Sequence, residues 1–285
     1  MIRSAIIVAL TAISCAPSAS TGQSQSTLNR IQHLETDYGK RVLDLEQIQQ
    51  QLENLSERME QINRAIAGPR VPDRPRYPGA PDPAIVYAVS IAGNPYVGPK
   101  NAKVTMVQGF EFACPYCYRV RPVLDQLQKI YGNDLKIVYK HFIVHRGQAT
   151  VPARAICAAH NQGKFEAMLD LIWEKAFKTR TYGVQNMERL ATEAGLQLAQ
   201  FRQDMNGAAC KQLVSRDQHE LSAVGQRGTP GFFINGRFLS GAQPISQFRT
   251  IIDEELSKAN AALRAGASLK TYYAEFVLRK GKKRL

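Results

Sequence analysis

Long apolar runs are missing from this 285-residue chain. The most apolar stretch, Ala5 to Ile13, is too short to span a bilayer, and no other segment approaches the length that crossing requires. Acidic residues are in deficit. The 24 Asp and Glu stand against 37 Lys and Arg, a formal net charge of +13. That balance is compatible with nucleic acid or anionic lipid as partner. However, no nucleic-acid-binding motif and no helix with one clustered basic face accompanies it, and nucleic acid is not expected as a partner. Seven basic residues fall between Arg264 and Arg284, so the excess reads as solubility plus a basic tail. Cysteine is scarce as well, with five in all. Only Cys114 and Cys117 have the spacing of half a zinc site, and without a second pair no metal is expected. What remains is ordinary globular composition, 44% hydrophobic and 21% charged, with length for one sizeable domain plus extras.

The chemistry concentrates in Phe110-Glu111-Phe112-Ala113-Cys114-Pro115-Tyr116-Cys117. This stretch ends an apolar run, Val104 to Phe112, that reads as a buried strand. It opens a run, Tyr118 to Ile130, in which Val120, Val123, Leu124, Leu127 and Ile130 recur at helical spacing. Pro115 falls at the first helical position, where its missing N–H is tolerated. Cys114 then faces the unpaired N–H groups and the positive end of the helix dipole, which favour a thiolate, the reactive form of cysteine. Thiol–disulfide exchange is the chemistry this pattern suggests.

The N-terminus reads as a signal peptide over 1–20, with one early basic residue, Arg3, a short apolar core and small residues after it. An exported chain is expected. Ala12-Ile13-Ser14-Cys15 is a loose lipobox, with Ala12 where leucine is usual, which would lipidate Cys15. Ser18-Ala19-Ser20 would instead suit an ordinary signal peptidase. The short signal and the polar tether Ala16 to Thr27 lean toward the lipobox. Cys157 and Cys210 either pair with each other, as leftover cysteines do in an oxidising compartment, or remain buried free thiols; a structural disulfide is the expectation.

Residues 21–67 form a candidate coiled-coil oligomerisation helix, its pattern running from Leu28 to Ile66. Ile31, Tyr38, Leu45, Leu52, Met59 and Ile66 fall at one heptad position, and Leu34, Arg41, Ile48, Leu55 and Ile62 at the other. Arg41 is the single polar interruption. A proline-rich linker, 68–83, follows and would be stiff and extended. A compact domain starts near Ala84. Strands are expected over Val86–Ile91, Lys103–Phe112 and Leu135–Val144, with a turn at Gly93-Asn94-Pro95; strand, helix and strand in series make a right-handed parallel unit. Residues 149–225 read as a helical insertion, with helices over Val151–Asn161, Lys164–Phe177, Val184–Ala194, Leu196–Asn206 and Ala208–Val224. Residues 226–264 return to strands. Gly231–Ile234 and Arg237–Leu239 flank an Asn235-Gly236 hairpin turn, and a helix over Pro244–Leu263 closes the domain. Residues 265–285 make a C-terminal helix, Leu269 to Leu278, and the basic tail.

This order resembles the DsbA-like branch of the thioredoxin superfamily, in which a helical domain interrupts a thioredoxin fold. Three motifs carry the resemblance: the Cys-Pro-Tyr-Cys junction, Asn161-Gln162-Gly163-Lys164-Phe165, and Gly228-Thr229-Pro230 before Phe-Phe-Ile-Asn-Gly. It covers Val86 to about Leu263. It implies an α/β fold and a protein disulfide oxidoreductase or isomerase of the periplasm or cell envelope. Its substrates would be exported proteins with thiols or disulfides, it would use a membrane redox partner, and it would carry no cofactor. It implies Cys114 as exposed nucleophile and Cys117 as partly buried resolving cysteine, with Pro115 and Tyr116 tuning Cys114. Pro230 would be a cis proline that holds Thr229 for an extended substrate. The N-terminal helix resembles the stalk of oligomeric isomerases of the ScsC type, implying a homo-oligomer. One departure stands out: Gln108 occupies a place where related enzymes often carry a buried acid, and Glu111 points to the opposite face of the strand. The alternative is an envelope-tethered scaffold, or a Cu(I) binder using Cys114 and Cys117.

Overall fold

The computed structural model describes residues 21–66 and 79–285. The signal peptide, Cys15 and most of the proline-rich linker lie outside the described residues. The chain divides into two compact units, Met1–Arg70 and Val71–Leu285. In the first, one helix, α1, runs over Thr21–Ile66, 46 residues. At 1.5 Å per residue that is about 69 Å. Its heptad side chains from Ile31 to Leu55 stand in the open: Leu34 is 68% exposed, Leu45 64% and Leu52 62%. Arg41, the polar interruption, pairs with Asp37 one turn earlier at 3.2 Å. The described part of its apolar stripe, from Ile31 to Leu55, is unburied.

The second unit is built on a five-stranded sheet in the order β1-β3-β2-β4-β5. These strands are β1 (Tyr96–Val97), β2 (Val104–Phe110), β3 (Leu135–His141), β4 (Gly231–Ile234) and β5 (Arg237–Ser240). β2 and β3 are parallel, joined through helix α2 (Pro115–Tyr131); β1, β4 and β5 add on antiparallel. β2 is central, every residue of it is buried, and both its faces are covered, which is why it reads as a mainly apolar run, broken only by Thr105 and Gln108. Val104 and Met106 pack with Leu124, Leu127, Phe232 and Phe248 on one face, and Val107 packs with Tyr87, Val138 and Phe233 on the other. Asn235 and Gly236 both take positive φ, 43° and 85°, as a tight hairpin turn demands. Gly236 is required for a second reason: a Cβ there would sit 2.6 Å from the Tyr87 carbonyl oxygen.

Two expectations change here. Val86–Ile91 is not a strand. It makes isolated bridges only, Val86 to Arg237 and Tyr87 to Lys282, and its apolar side chains lie on the sheet face instead of pairing along an edge. The basic C-terminal tail is tied to this segment and to Ala223. Lys282 exchanges backbone hydrogen bonds with Val86 and Ala88, and the Leu285 N–H reaches the Ala223 carbonyl at 3.0 Å. The expected C-terminal helix is present but shorter, a π-helix over Tyr273–Leu278 rather than Leu269 to Leu278.

The helical block holds α3 (Arg146–Asn161), α4 (Phe165–Leu171) continuing into a wide turn at Ile172–Phe177, α5 (Val184–Glu193), α6 (Leu198–Asn206) and α7 (Ala208–Ala223). α3 starts five residues earlier than the sequence pattern predicts, because Pro152 lies inside it rather than at its start. Cys157 of α3 and Cys210 of α7 form a disulfide, as expected. Helix α8 (Ile245–Arg264) closes the unit, packing Phe248 and Ile252 on the sheet. Aromatic side chains seal the block to the end of β2: Trp173 lies against Phe112 at 4.9 Å between ring centroids, and Phe110 against Tyr139 at 5.5 Å.

Candidate functional site

Cys114 is the N-cap of α2, with extended backbone (φ −82°, ψ 119°), and Pro115 opens the helix. Both Cys114 and Cys117 are free thiols. Cys114 is 4% exposed and Cys117 fully buried. Cys114 is thus nearly covered rather than openly exposed. Its Sγ lies 3.3 Å from the Thr229 carbonyl oxygen, with which it hydrogen bonds. The thiol of Cys114 is held down to about 6. The largest cause is a hydrogen bond from the Cys117 thiol; burial opposes it, and the Thr229 side chain and the backbone N–H groups of Cys117 and Tyr116 add to it. Cys117 is pushed well up, first by burial, then by its thiolate neighbour. The pair therefore splits into one sulfur ready to attack and one that keeps its proton. Tyr116 is 52% exposed, under the Arg119 guanidinium.

The turn leading into Cys114 is clamped from the helical block, and the sequence offered little hint of this. The Tyr182 hydroxyl donates to the Phe112 carbonyl at 3.3 Å, and Arg180 donates to the Ala113 carbonyl at 3.3 Å. On the other side the Thr229–Pro230 bond is cis. The loop that carries it is tied down by Gln226, a fully buried residue that the sequence pattern missed. Its side-chain N–H donates to the carbonyls of Gly109 at 3.2 Å and Gly228 at 3.0 Å. Gly109 of β2 pairs with Gly231 of β4, and the amide of Gln226 lies across both. A Cβ on Gly109 would meet the Gln226 Oε1 at 2.3 Å, and one on Gly231 its Cδ at 2.7 Å. A glycine inside an otherwise apolar strand was the available signal of such a close approach.

A family model described as "DSBA-like thioredoxin domain" matches residues 107–253. The chain belongs to the DsbA-like thioredoxin domain family. A Na(+)/H(+) antiporter NhaA of Herminiimonas arsenicoxydans is 34% identical over 147 residues, 51% of this chain. This chain spans only 23% of the length of that relative. A thioredoxin-like oxidoreductase from Silicibacter pomeroyi DSS-3 superposes with a TM-score of 0.51 at 25% identity, over 62% of this chain and 95% of that one. The catalytic domain of Proteus mirabilis ScsC shares the fold at 20% identity and a TM-score of 0.51, over 60% of this chain and 93% of that one.

Two polar side chains of this DsbA-like unit lie behind the dithiol. Gln108 is buried, and its Oε1 has no hydrogen-bond partner among the described residues. It opens on a cavity of about 40 Å3 shared with Cys117, Asp125 and Tyr139. That is room for a water molecule. Glu111 points elsewhere, as the pleat predicts. Its carboxylate accepts from the backbone N–H of Val144 at 2.8 Å and of His145 at 2.9 Å, and it also bonds the His145 ring. It fixes the loop between β3 and α3, and its backbone draws the Cys117 thiol down against the burial that raises it.

Proposed function

We propose that this chain catalyses thiol–disulfide exchange on exported proteins in the cell envelope, with Cys114 as nucleophile and Cys117 as resolving cysteine. The observation that carries this reading is the placement of Cys114 Sγ at the carbonyl of Thr229, immediately before the cis Pro230. In reduction, the Cys114 thiolate attacks one sulfur of a substrate disulfide, a mixed disulfide forms and the other substrate sulfur leaves as thiolate. Cys117 then gives up its proton and attacks Cys114 Sγ. The Cys114–Cys117 disulfide forms and the second substrate thiolate departs, so the substrate gains two electrons and the dithiol loses them. In isomerisation a substrate thiolate attacks the mixed disulfide instead and Cys114 is regenerated. The Thr229 backbone would pair with an extended substrate strand. Gln108 holds no proton to exchange, so Cys117 would be deprotonated through the small cavity that Asp125 also lines.

The finer reading is an oligomer with isomerase or reductase activity, joined through α1, with Pro115 and Tyr116 tuning Cys114 and a membrane redox partner setting its oxidation state. Its support is the exposed apolar stripe of α1. Export rests on the signal-peptide pattern, lipidation on Cys15, and an oxidising compartment is consistent with the Cys157–Cys210 disulfide. Among the described residues no helix is long and apolar enough to cross a membrane. The test is reduction of insulin and reactivation of scrambled ribonuclease. Cys114→Ser is expected to abolish both, and Cys117→Ser to accumulate mixed disulfides with substrate. Undiminished turnover by Cys114→Ser would reject the assignment.

A further inference from the structure

A second cleft lies away from the dithiol. It lies between α3 and α7, encloses about 600 Å3 and shares no lining residue with the cavity behind Cys117. Its walls follow from helical spacing. On α3, Arg146, Thr150 and Arg154 recur every four residues and so share one face. On α7, Lys211, Ser215 and His219 do the same, with Gln218 beside them. The helices are antiparallel and fastened at both ends. At one end the Cys157–Cys210 disulfide joins the end of α3 to the start of α7. At the other, the Ile143 backbone N–H just before α3 donates to Gln218 Oε1 at 2.6 Å.

The charge in this trough is uncompensated. None of its lining residues is acidic. The acids of α7 are turned away: Asp217 meets buried Lys140 at 3.0 Å and Glu220 meets it at 2.6 Å. Arg146, Arg154 and Lys211 make no ion pair with any described residue, whereas Arg121, Arg202 and Arg237 of the same unit all do. Three cations with hydroxyl and amide donors between them form a concave set of hydrogen-bond donors. Guanidinium groups match planar or tetrahedral oxyanions in a fork geometry. The volume is that of a small-molecule site.

We propose that the α3–α7 trough binds a small multivalent oxyanion, of the phosphate-ester class, through Arg146, Arg154 and Lys211. The pinned helices make it a preformed site rather than one assembled by the ligand. The test uses the full oxidised chain at low ionic strength, with inorganic pyrophosphate as probe in titration calorimetry. Saturable binding at one site per chain is expected, weakened about tenfold or more in Arg154→Gln/Lys211→Gln, as loss of two charge-assisted contacts requires. Insulin reduction by that variant should match the unaltered chain, which separates this site from the dithiol. Absence of saturable pyrophosphate binding, or equal binding by the variant, overturns the proposal. So does binding of hexaglutamate or of phosphatidylglycerol vesicles that pyrophosphate fails to displace, because the trough would then serve a peptide or a membrane.

Discussion

Cys117 is the main reason that Cys114 is acidic, ahead of the helix N-terminus that the sequence pattern points to. Because the folded value of about 6 lies below that of a free thiol, the thiolate stabilises the reduced protein. That contribution is fully present above about 8.5, the value of an unperturbed thiol, and is lost as pH falls through about 6. The disulfide form has no such term, so the reduced state is favoured and the disulfide is the better oxidant for it. Alkylation of Cys114 by iodoacetamide should therefore rise with pH around a midpoint near 6, and Cys117→Ala should move that midpoint upward. An unmoved midpoint would mean that the helix N-terminus alone is responsible. The Gly109–Gln226 contact offers a second residue-scale test. Gly109→Ala forces the Gln226 amide away and should cost about 1–3 kcal/mol while slowing exchange through the loosened Thr229–Pro230 loop. Adding Gln226→Ala should restore part of that stability. Strictly additive losses in urea denaturation would contradict the contact. Cys114, Cys117 and Pro230 were legible because each sits in a motif of local neighbours. Gln226 was not, since its bond to Gly109 spans 117 positions and no local pattern encodes it.

The strands and helices that carry the site were read largely from periodicity and punctuation, and the failures have physical causes. Val86–Ile91 has the composition of a strand but uses it to cover a sheet face, so burial rather than pairing explains its residues. The charged trough between α3 and α7 was invisible because neither helix is strongly basic by itself; it arises only when the fold brings the two faces together. That bond closes a loop with a separation of 53 residues. In the chain-entropy account a loop of this size is worth about 4 kcal/mol, a ceiling because the unfolded block retains some order. Cys157→Ala/Cys210→Ala should lower the unfolding free energy of the second unit, read from urea denaturation, by about 2–4 kcal/mol, while the alkylation midpoint of Cys114 stays in place. A double variant as stable as the parent would remove the disulfide from the account of the helical block.

At the scale of the molecule, α1 raises the question of how many dithiols act together. An isolated helix of this length, with Leu45, Ile48, Leu52 and Leu55 all exposed, has no core of its own. Helices of this kind draw most of their stability from burying an apolar face. The seven-residue repeat that predicts the helix also predicts what would cover it, a second copy of the same stripe. Burying one leucine side chain contributes about 1.5–3 kcal/mol. Leu45→Gln/Leu52→Gln removes four such side chains from a dimer, at least about 6 kcal/mol, or some four decades in the association constant. Light scattering should then show an oligomer for the unaltered chain and a monomer for the variant at the same concentration. If clustering is what permits isomerisation, ribonuclease reactivation should fall with the oligomer while insulin reduction per chain persists, since Cys114, Cys117 and Thr229 belong wholly to the second unit. Parallel loss of both activities would place the effect of α1 on the dithiol itself, and a monomeric parent would leave its apolar stripe to another partner.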